Sequence, residues 1–281
     1  MEYETLKFEL QENGIGFLTF TRGEKANATS FQMVEDLHSV FDALMINLDC
    51  RVLIIKAEGK VFNAGQDLTE GTVLTQNKIP RRFRKYYFLD TPEVLKAFMY
   101  YQLRISNCIV KMRKISQPII AMVQGAAMGA GFSFASACDI RIASKEAKFN
   151  AGYINIGLTG ADMGSSYFLP RLIGMSRAAE LLYTGRFFHA EEALKIGYVL
   201  KIVEKDKLLE TALEIAEELL SKSPLGLRMT KQAVNLTLDS PSLETMIQLE
   251  NRGQVLSGSS KDFLEAAFAY MEKRKPKFPL R

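Results

Sequence analysis

The chain has 281 residues, of which 47% are hydrophobic and 24% are charged. These proportions are typical of a globular protein with a sizeable core, and they exclude collagen-like, low-complexity and largely disordered chains. Two His, three Cys and no Trp exclude chemistry that needs several imidazoles or a cluster of thiolates. We therefore expect no metal site, and any catalysis must use carboxylates, hydroxyls or backbone groups.

The cysteines and the first residues predict where the protein is found. Cys50, Cys108 and Cys138 are odd in number and far apart, which favours buried thiols in a reducing compartment over a disulfide scaffold. The start of the chain carries acidic charge and no apolar run, so no signal or transit peptide is expected. The sequence therefore predicts a cytoplasmic protein. Its net charge of +4 suits an anionic small molecule as easily as a nucleic acid.

The chain begins with patterns typical of a hairpin, a helix and a buried strand. Residues 8–10 and 15–20 are predicted strands, and Asn13-Gly14 supplies the turn between them. Apolar residues recur at helical spacing over residues 31–48. Residues 51–56 form a short apolar run and are predicted to be the next strand.

Residues 115–138 carry no charge and are long enough to be considered as a membrane span. Polar residues and glycines interrupt the run, and the pair Gln124-Gly125 follows a short β-rich segment. We therefore predict a buried strand at 119–123, a glycine turn and a buried helix at 130–137, with no membrane as partner.

The rest of the chain alternates between strand and helix and ends in helices. Predicted strands lie at 140–144 and 198–203, and predicted helices lie at 178–183, 190–196, 208–220 and 263–271. Strands dominate the first half of the chain and helices the last third. This order predicts an α/β fold with a layered core at 1–200 and a helical region at 201–281.

Two turns rich in small residues are the candidate functional segments. One is residues 61–68, where Asp67 is placed to cap a helix, and the other is residues 124–132, where a glycine turn opens a helix. Unpaired backbone N–H groups at such turns can face an oxygen on which negative charge develops. One N–H from each turn would make an oxyanion hole without any ionisable side chain.

Motifs along nearly the whole chain resemble those of the crotonase superfamily, also called the enoyl-CoA hydratase/isomerase family. They are FNAGQDL at 62–68, GAAMGAG at 125–131, ACDIRIA at 137–143, LPRLIG at 169–174, LYTGR at 182–186 and EKRKPKF at 272–278. The resemblance implies a crotonase-like spiral of ββα units. It also implies a C-terminal helical region that supports a homotrimer or a dimer of trimers.

The resemblance implies an acyl-CoA thioester as substrate and an enzyme of the enoyl-CoA hydratase/isomerase type. The backbone N–H groups of Gln66 and Ala130 would hold the thioester oxygen while an enolate forms. No separate cofactor is expected, because coenzyme A is part of the substrate. Contacts to coenzyme A are expected from Lys25, Ala26, Ala28, Ala64, Gly65, Asp67, Leu68, Tyr270 and Lys273, the last from a neighbouring subunit.

The two acid–base glutamates of family hydratases have no counterpart in this chain. Ser133 and Tyr153 stand at the matching positions, so the two-glutamate hydration machinery is missing. Asp162 is similar to an aspartate of family dienoyl-CoA isomerases that takes part in proton transfer. It either transfers a proton here or only caps the following helix. Since one carboxylate can shuttle a proton between carbons, these residues favour isomerisation over hydration.

Several alternatives stay open. Ser133 is expected to be a small pocket wall or a polar contact to substrate or water, and Tyr153 either donates a proton or packs as an aromatic ring. Hydration by Asp162, with one of these hydroxyls orienting water, is therefore possible. The chain could also bind acyl-CoA without turnover. Residues 80–87 are basic and aromatic, which suits a solvated face, a lid over the ligand or, least expected, an RNA site.

Overall fold

The computed structural model describes residues 3–70, 93–240 and 242–278, with side chains of the second range described from residue 98. The strands are β1 (Leu6–Leu10), β2 (Ile15–Phe20), β3 (Val52–Ala57), β4 (Ile119–Val123), β5 (Ala126–Met128), β6 (Ile140–Ser144), β7 (Lys148–Asn150), β8 (Phe188–His189) and β9 (Lys201–Val203). The α-helices are α1 (Phe31–Ile46), α2 (Glu93–Lys114), α3 (Ala130–Ala137), α4 (Ser165–Ile173), α5 (Met175–Thr184), α6 (Ala190–Lys195), α7 (Leu208–Leu220), α8 (Pro224–Thr237), α9 (Leu243–Gly258) and α10 (Lys261–Met271).

The strands form two sheets. The larger has the order β1-β2-β3-β4-β6-β9, and every neighbouring pair is parallel except the β1–β2 hairpin. The smaller has the order β5-β7-β8. Two single bridges, Thr29 with Gln66 and Asn63 with Ala127, extend the smaller sheet into the loops before α1 and after β3. Each turn of the chain thus adds one strand to the large sheet and one extended segment to the small sheet.

This repeat confirms the predicted α/β spiral of strand–strand–helix units. The second extended segment of a unit is short, from a single bridged residue to the three residues of β5 or β7. Consequently the chain passes from a small-sheet segment almost directly into a helix. The N-termini of α1 and α3 are thereby brought to the same edge of the small sheet, where the glycine turns lie.

The two faces of the large sheet are covered differently. One face packs against α1, α2 and α3 in the main apolar core. The other face carries Phe17, Ile54 and Ile142, which pack against Leu208 and Ala212 of α7. Strand β9 pairs with β6, and α7 packs on this face of the sheet. The division of the chain at residue 200 stays a prediction.

The uncharged run at 115–138 forms β4, β5 and α3, as predicted for its strand and helix. No helix of the described residues is long and apolar enough to cross a membrane. The sequence missed β5 and β7, since three-residue strands are too short to show a period. It also missed α2, α8 and α9, and it missed α4, where Pro170 lies inside the helix. The predicted helix at 31–48 is too long, since α1 ends at Ile46.

The structure also tests the predictions for the hairpin and the cysteines. The hairpin is present, but only Gly14 of its turn has a positive φ, at 93°, because a longer loop replaces the two-residue turn. All three cysteines are buried and unpaired. Burial raises the pKa of each thiol to about 12, so none is a reactive thiolate at neutral pH.

Candidate active site

Asn63 joins three segments of the small sheet. Its side-chain amide donates to Asn27 O at 2.7 Å and to Thr29 Oγ1 at 2.9 Å, and its Oδ1 accepts the N–H of Gly65 at 2.9 Å. Its backbone oxygen accepts the N–H of Met128 at 2.9 Å. The residue is fully buried, so every one of these bonds is shielded from water. Asn63 thus locks residues 63–67 against residues 126–131, which we call the paired turns.

The paired turns touch at their glycines. A Cβ added to Gly129 would lie 3.6 Å from the Cα of Gly65, and one added to Gly65 would lie 3.2 Å from Met128 O. Gly65 also has a φ of 93°, which L side chains rarely adopt. Gln66 and Ala130 directly follow the two touching glycines, so their backbone N–H groups belong to adjoining peptide units.

The N–H groups of Gln66 and Ala130 are both unpaired within the described residues. Gln66 bridges Thr29 through the neighbouring peptide groups: Gly65 O accepts from Thr29 and the N–H of Asp67 donates to Thr29 O. Since successive N–H groups of an extended chain point to opposite sides, the N–H of Gln66 points away from Thr29. Ala130 is the first residue of α3, where N–H groups have no intrahelical acceptor.

Close packing holds α3 against the first turn. A Cβ on Gly131 would lie only 2.4 Å from Asn63 O, so no larger residue fits without moving the backbone. The helix has no charged residue and is buried along its whole length. Its positive N-terminal end therefore adds to the field of the two free N–H groups in a site that is shielded from water.

Residues 25–28, where contacts to coenzyme A are predicted, lie beside the paired turns. Ala26 O accepts the N–H of Ala64 at 3.1 Å. Ala26 and Asn27 both have left-handed φ values, 51° and 53°. Lys25 is exposed and has no ion-pair partner in the described chain, so its charge is available to an anion.

The side chain of Asp67 is held by other residues of the protein. Its carboxylate pairs with Arg22 at 2.9 Å and accepts from Thr69 Oγ1 at 2.6 Å, and its N–H donates to Thr29. Its bonds to Thr69 include one to the backbone N–H two residues ahead, as expected of the predicted cap. The side chain is therefore fully used inside the protein, whereas the next residue, Leu68, is 58% exposed.

Asp162 lies in residues 160–164, which we call the Asp162 loop. Its N–H donates to Ser165 Oγ at 3.0 Å and its backbone oxygen accepts the N–H of Ser165 at 2.8 Å. The following residue, Met163, has a φ of 45°, which is uncommon for a residue with a side chain. Helix α4 begins only at Ser165 and has no side-chain cap. Capping by the Asp162 carboxylate is therefore wrong.

The two oxygens of the Asp162 carboxylate differ. Oδ1 accepts the N–H of Met163 at 2.7 Å and a hydrogen bond from the side-chain amide of Gln102. Oδ2 has no partner within the described residues. Burial raises the pKa of this carboxyl above its ordinary value, and the two donated bonds offset part of that increase.

Ser133 and Tyr153 lie beside Asp162 and are hydrogen-bonded to each other. Their hydroxyl oxygens are 2.9 Å apart, and Ser133 Oγ also contacts the backbone oxygen of Asp162 at 3.3 Å. Ser133 has a single proton, which it can give either to Tyr153 or to Asp162 O, and either hydroxyl can be the donor of the bond between Ser133 and Tyr153. Burial and the charge of Asp162 raise the pKa of Tyr153 well above its ordinary value. Both hydroxyl oxygens are thus hydrogen-bonded within the protein.

Comparison with known proteins gives the family. A family model described as enoyl-CoA hydratase/isomerase matches residues 10–89 and 92–280. The chain therefore belongs to the enoyl-CoA hydratase/isomerase family. A probable enoyl-CoA hydratase of Mycobacterium tuberculosis is 35% identical over 265 residues, which are 94% of this chain and 89% of that protein. A 1,2-epoxyphenylacetyl-CoA isomerase of Escherichia coli is 31% identical over 267 residues, 95% of each chain.

Solved structures of the family agree with the fold. An enoyl-CoA hydratase from Bacillus anthracis has a TM-score of 0.87 at 28% identity, covering 99% of this chain and all of that chain. An enoyl-CoA hydratase/isomerase from Cupriavidus metallidurans has a TM-score of 0.83 at 33% identity, covering 100% and 99%. The predicted crotonase-like fold with C-terminal helices is confirmed.

Other predicted residues of this family member lie apart from the site. Tyr270 is 87% exposed on α10, and Lys273 follows that helix with a left-handed φ of 54°. In a single chain both face solvent, so their contact with coenzyme A stays a prediction. The basic cluster at 80–87 lies outside the described residues.

Sequence reasoning missed Asn63, Gln102 and Tyr101. The first is inside a motif, but the letter alone does not show that it joins three segments. Tyr101 and Gln102 lie on α2, which no motif includes. The hydroxyl of Tyr101 is buried and has no hydrogen-bond partner among the described residues, and its ring packs edge-on against Phe31 at 4.8 Å between centroids. Helical periodicity could have placed these residues on α2, but it could not have shown which loop they contact.

A large cavity begins next to the Asp162 loop. It has a volume of about 1100 Å³ and lies between α2, α8 and the start of α4. Its apolar lining includes Leu103, Val110, Met163, Phe168, Met229 and Leu236. Between Leu103 and Lys114, α2 rises about 16 Å along it, at 1.5 Å per residue.

Proposed function

We propose that the protein is an acyl-CoA enzyme that stabilises a thioester enolate and moves a proton at the carbons next to the thioester. The observation that carries this proposal is the pair of unpaired N–H groups at Gln66 and Ala130, on turns that touch. Family membership supports the substrate class, since relatives are named as enoyl-CoA hydratases and as a CoA-ester isomerase. It does not separate hydration from isomerisation.

The two N–H groups would act on the thioester oxygen. When a proton leaves the α-carbon, the electron pair moves onto that oxygen as an enolate. Preorganised donors in a shielded site stabilise this charge, and loss of one such donor costs about 10²- to 10³-fold in kcat. The contacts of Asn63 and Gly131 keep the donors in place before substrate arrives.

The proton would move through Asp162. Its free Oδ2 takes a proton from the α-carbon of a 3-enoyl thioester, and the double-bond electrons delocalise into a dienolate. The protonated carboxyl then returns the proton to the γ-carbon, so the double bond shifts to the 2,3 position and the carboxylate is restored. Burial raises the pKa of Asp162, which makes it a stronger base than an exposed aspartate.

Isomerisation is favoured over hydration by the two hydroxyls. Hydration needs a group that orients and deprotonates water at the β-carbon while another delivers a proton. Ser133 and Tyr153 are hydrogen-bonded to each other, and Ser133 Oγ also contacts Asp162 O. These bonds support a role in holding the Asp162 loop rather than in donating to substrate.

The cavity beside Met163 supports a place for the acyl chain. Its volume of about 1100 Å³ is at the upper end of small-molecule sites, which are about 300 to 1,000 Å³. Two of the charged groups that line it, Arg113 and Lys231, are already paired with Asp139. This lining favours an extended apolar acyl group.

The C-terminal helices support assembly into trimers. Large apolar side chains on α9 and α10 are exposed in the single chain; they include Leu243, Val255, Leu256, Phe263, Phe268 and Met271. Apolar surface of this extent is typical of a subunit interface. In such an assembly, Tyr270 and Lys273 would reach the coenzyme A of a neighbouring subunit.

The test is turnover of a thioester panel by the wild type and by Asp162→Asn. We expect conversion of 3-enoyl-CoA to 2-enoyl-CoA, and a loss of about 10²- to 10⁴-fold in kcat for the variant. Binding of acyl-CoA without turnover of any 2-enoyl, 3-enoyl or dienoyl thioester would contradict the enzyme assignment. Faster turnover of 2-enoyl-CoA to the 3-hydroxy product would contradict the preference for isomerisation.

A further inference from the structure

Gln102 contacts the proposed base from a helix that carries no motif. Its side-chain amide donates to Oδ1 of Asp162, and the N–H of Met163 donates to the same oxygen. One oxygen of the carboxylate therefore has two donors and the other has none within the described residues. The two carboxylate oxygens of Asp162 are therefore not equivalent.

We propose that Gln102 is the positioning residue of the reaction: it holds Oδ1 of Asp162 so that Oδ2 is presented to the substrate carbon. This inference rests on the proposed function, since it requires Asp162 to be the base. Gln102 itself does not exchange a proton. It selects which oxygen reacts and in which direction that oxygen points.

The backbone of Asp162 is already fixed by other residues. Ser165 bonds both its N–H and its backbone oxygen, and Ser133 Oγ contacts the same backbone oxygen. The N–H of Met163 donates to Oδ1. The remaining freedom is rotation of the carboxylate, and the bond from Gln102 restricts it. Preorganisation of this kind removes an entropic cost from the transition state.

Gln102 is itself held on a rigid element. Two residues along α2, Arg104 makes a two-pronged pair with Glu35 of α1, with Nε to Oε1 at 2.8 Å and Nη2 to Oε2 at 2.5 Å. Further along α2, Lys111 pairs with Asp42 of α1 at 2.5 Å. Because these two ion pairs hold α2 against α1, the backbone that carries Gln102 is fixed in position.

The charged and titratable groups around Asp162 give the sign of the effect. Tyr101, Tyr153 and Gln102 face it, and none of them carries a positive charge. Burial raises the pKa of Asp162, and the donated bond from Gln102 lowers it again. Loss of that bond raises the pKa further. Since the base acts in its ionised form, the acid limb of the rate profile must move to higher pH.

The test compares Gln102→Met with Gln11→Met, which removes an exposed amide from the loop between β1 and β2, away from the site. Met keeps the length and helix propensity of Gln without a donor. We expect Gln102→Met to lower kcat about tenfold at neutral pH, with the acid limb raised by about one pH unit and KM changed less than twofold. The control should match the wild type. Gln102→Glu, which places a second carboxylate beside Asp162, should move the limb in the same direction.

An acid limb left in place by both Gln102 variants would overturn the inference. A uniform loss of activity at every pH would also overturn it, because a merely structural role has that signature. If Asp162→Asn remains as active as the wild type, the proposed function itself fails. If Asp162→Asn is inactive and the Gln102 variants keep the wild-type profile, only the positioning role fails.

Discussion

The paired turns and the Asp162 loop solve different problems with different parts of the chain. In the proposed mechanism, backbone N–H groups of the paired turns would meet the negative charge, and glycine contacts and Asn63 hold these turns. In the Asp162 loop, one side-chain carboxylate would carry the reactive atom, and groups from α2, α3 and the loop hold it. The comparison teaches that the paired turns should tolerate a side-chain change at Ala130 but not the loss of its backbone N–H. The Asp162 loop should instead be sensitive to the side chain of Asp162.

The largest effect on the paired turns is expected from Ala130→Pro. Proline removes the N–H and is tolerated at the first position of a helix, so the fold should persist. We expect kcat to fall about 10²- to 10³-fold with a thermal midpoint near that of the wild type. Steady-state kinetics and a thermal scan check this.

Ala130→Gly is the matched control, because it keeps the N–H and removes only the methyl group. It should retain most of the activity. If Ala130→Pro is folded and as active as Ala130→Gly, backbone donation from this residue is wrong.

The next effect concerns the contact that joins the turns. Gly131→Ala would place a Cβ 2.4 Å from Asn63 O, and overpacking of this kind costs about 1 to 3 kcal/mol in the free energy of unfolding. Urea denaturation measures the loss, and activity should fall with it because the donors are displaced. A stable and fully active variant would show that the turns are not held by this contact.

A smaller effect is expected at the cavity beside the Asp162 loop. Val110→Trp should fill part of it and lower kcat/KM for long-chain thioesters about tenfold, while four-carbon thioesters are unaffected. Val234→Trp is the control, since Val234 is exposed on α8 and does not line the cavity. Equal losses for short and long chains would contradict the assignment of the acyl chain to this cavity.

The smallest effect is expected at the C-terminal end. Lys273→Ala removes one exposed charge, so KM for acyl-CoA should rise about threefold with kcat unchanged. The increase should shrink at high salt, because an exposed contact to a phosphate is screened. Lys261→Ala, at the start of α10, should leave KM unchanged. A matching increase for both variants would show a general charge effect.

The paired turns and the Asp162 loop also differ in how far the sequence predicted them. The paired turns could be predicted because glycines and small residues report directly on backbone geometry, and the structure brings Gln66 and Ala130 to touching turns as expected. The sequence alone could not show that Asn63 joins the segments. Its partners include backbone atoms of Asn27 and Met128, which are 36 and 65 residues away in the chain.

The surroundings of Asp162 could be predicted only in part. The resemblance placed Ser133, Tyr153 and Asp162 in one region, and the structure brings them together. Their hydrogen-bond directions, and the partner Gln102, depend on how α2 packs across the core. That packing is a tertiary contact over 60 residues of chain, so no local pattern encodes it.

The central claim, that Asp162 moves a proton at carbon next to a thioester held by two backbone N–H groups, is tested most directly by hydrogen exchange. A 3-enoyl-CoA is incubated in D₂O with the wild type or with Asp162→Asn, and deuterium at the α- and γ-carbons is followed by mass spectrometry and NMR. We predict rapid exchange and isomerisation with the wild type, and at least about a hundredfold slower exchange with a folded variant that still binds acyl-CoA. Equal exchange rates for the two proteins would contradict the claim.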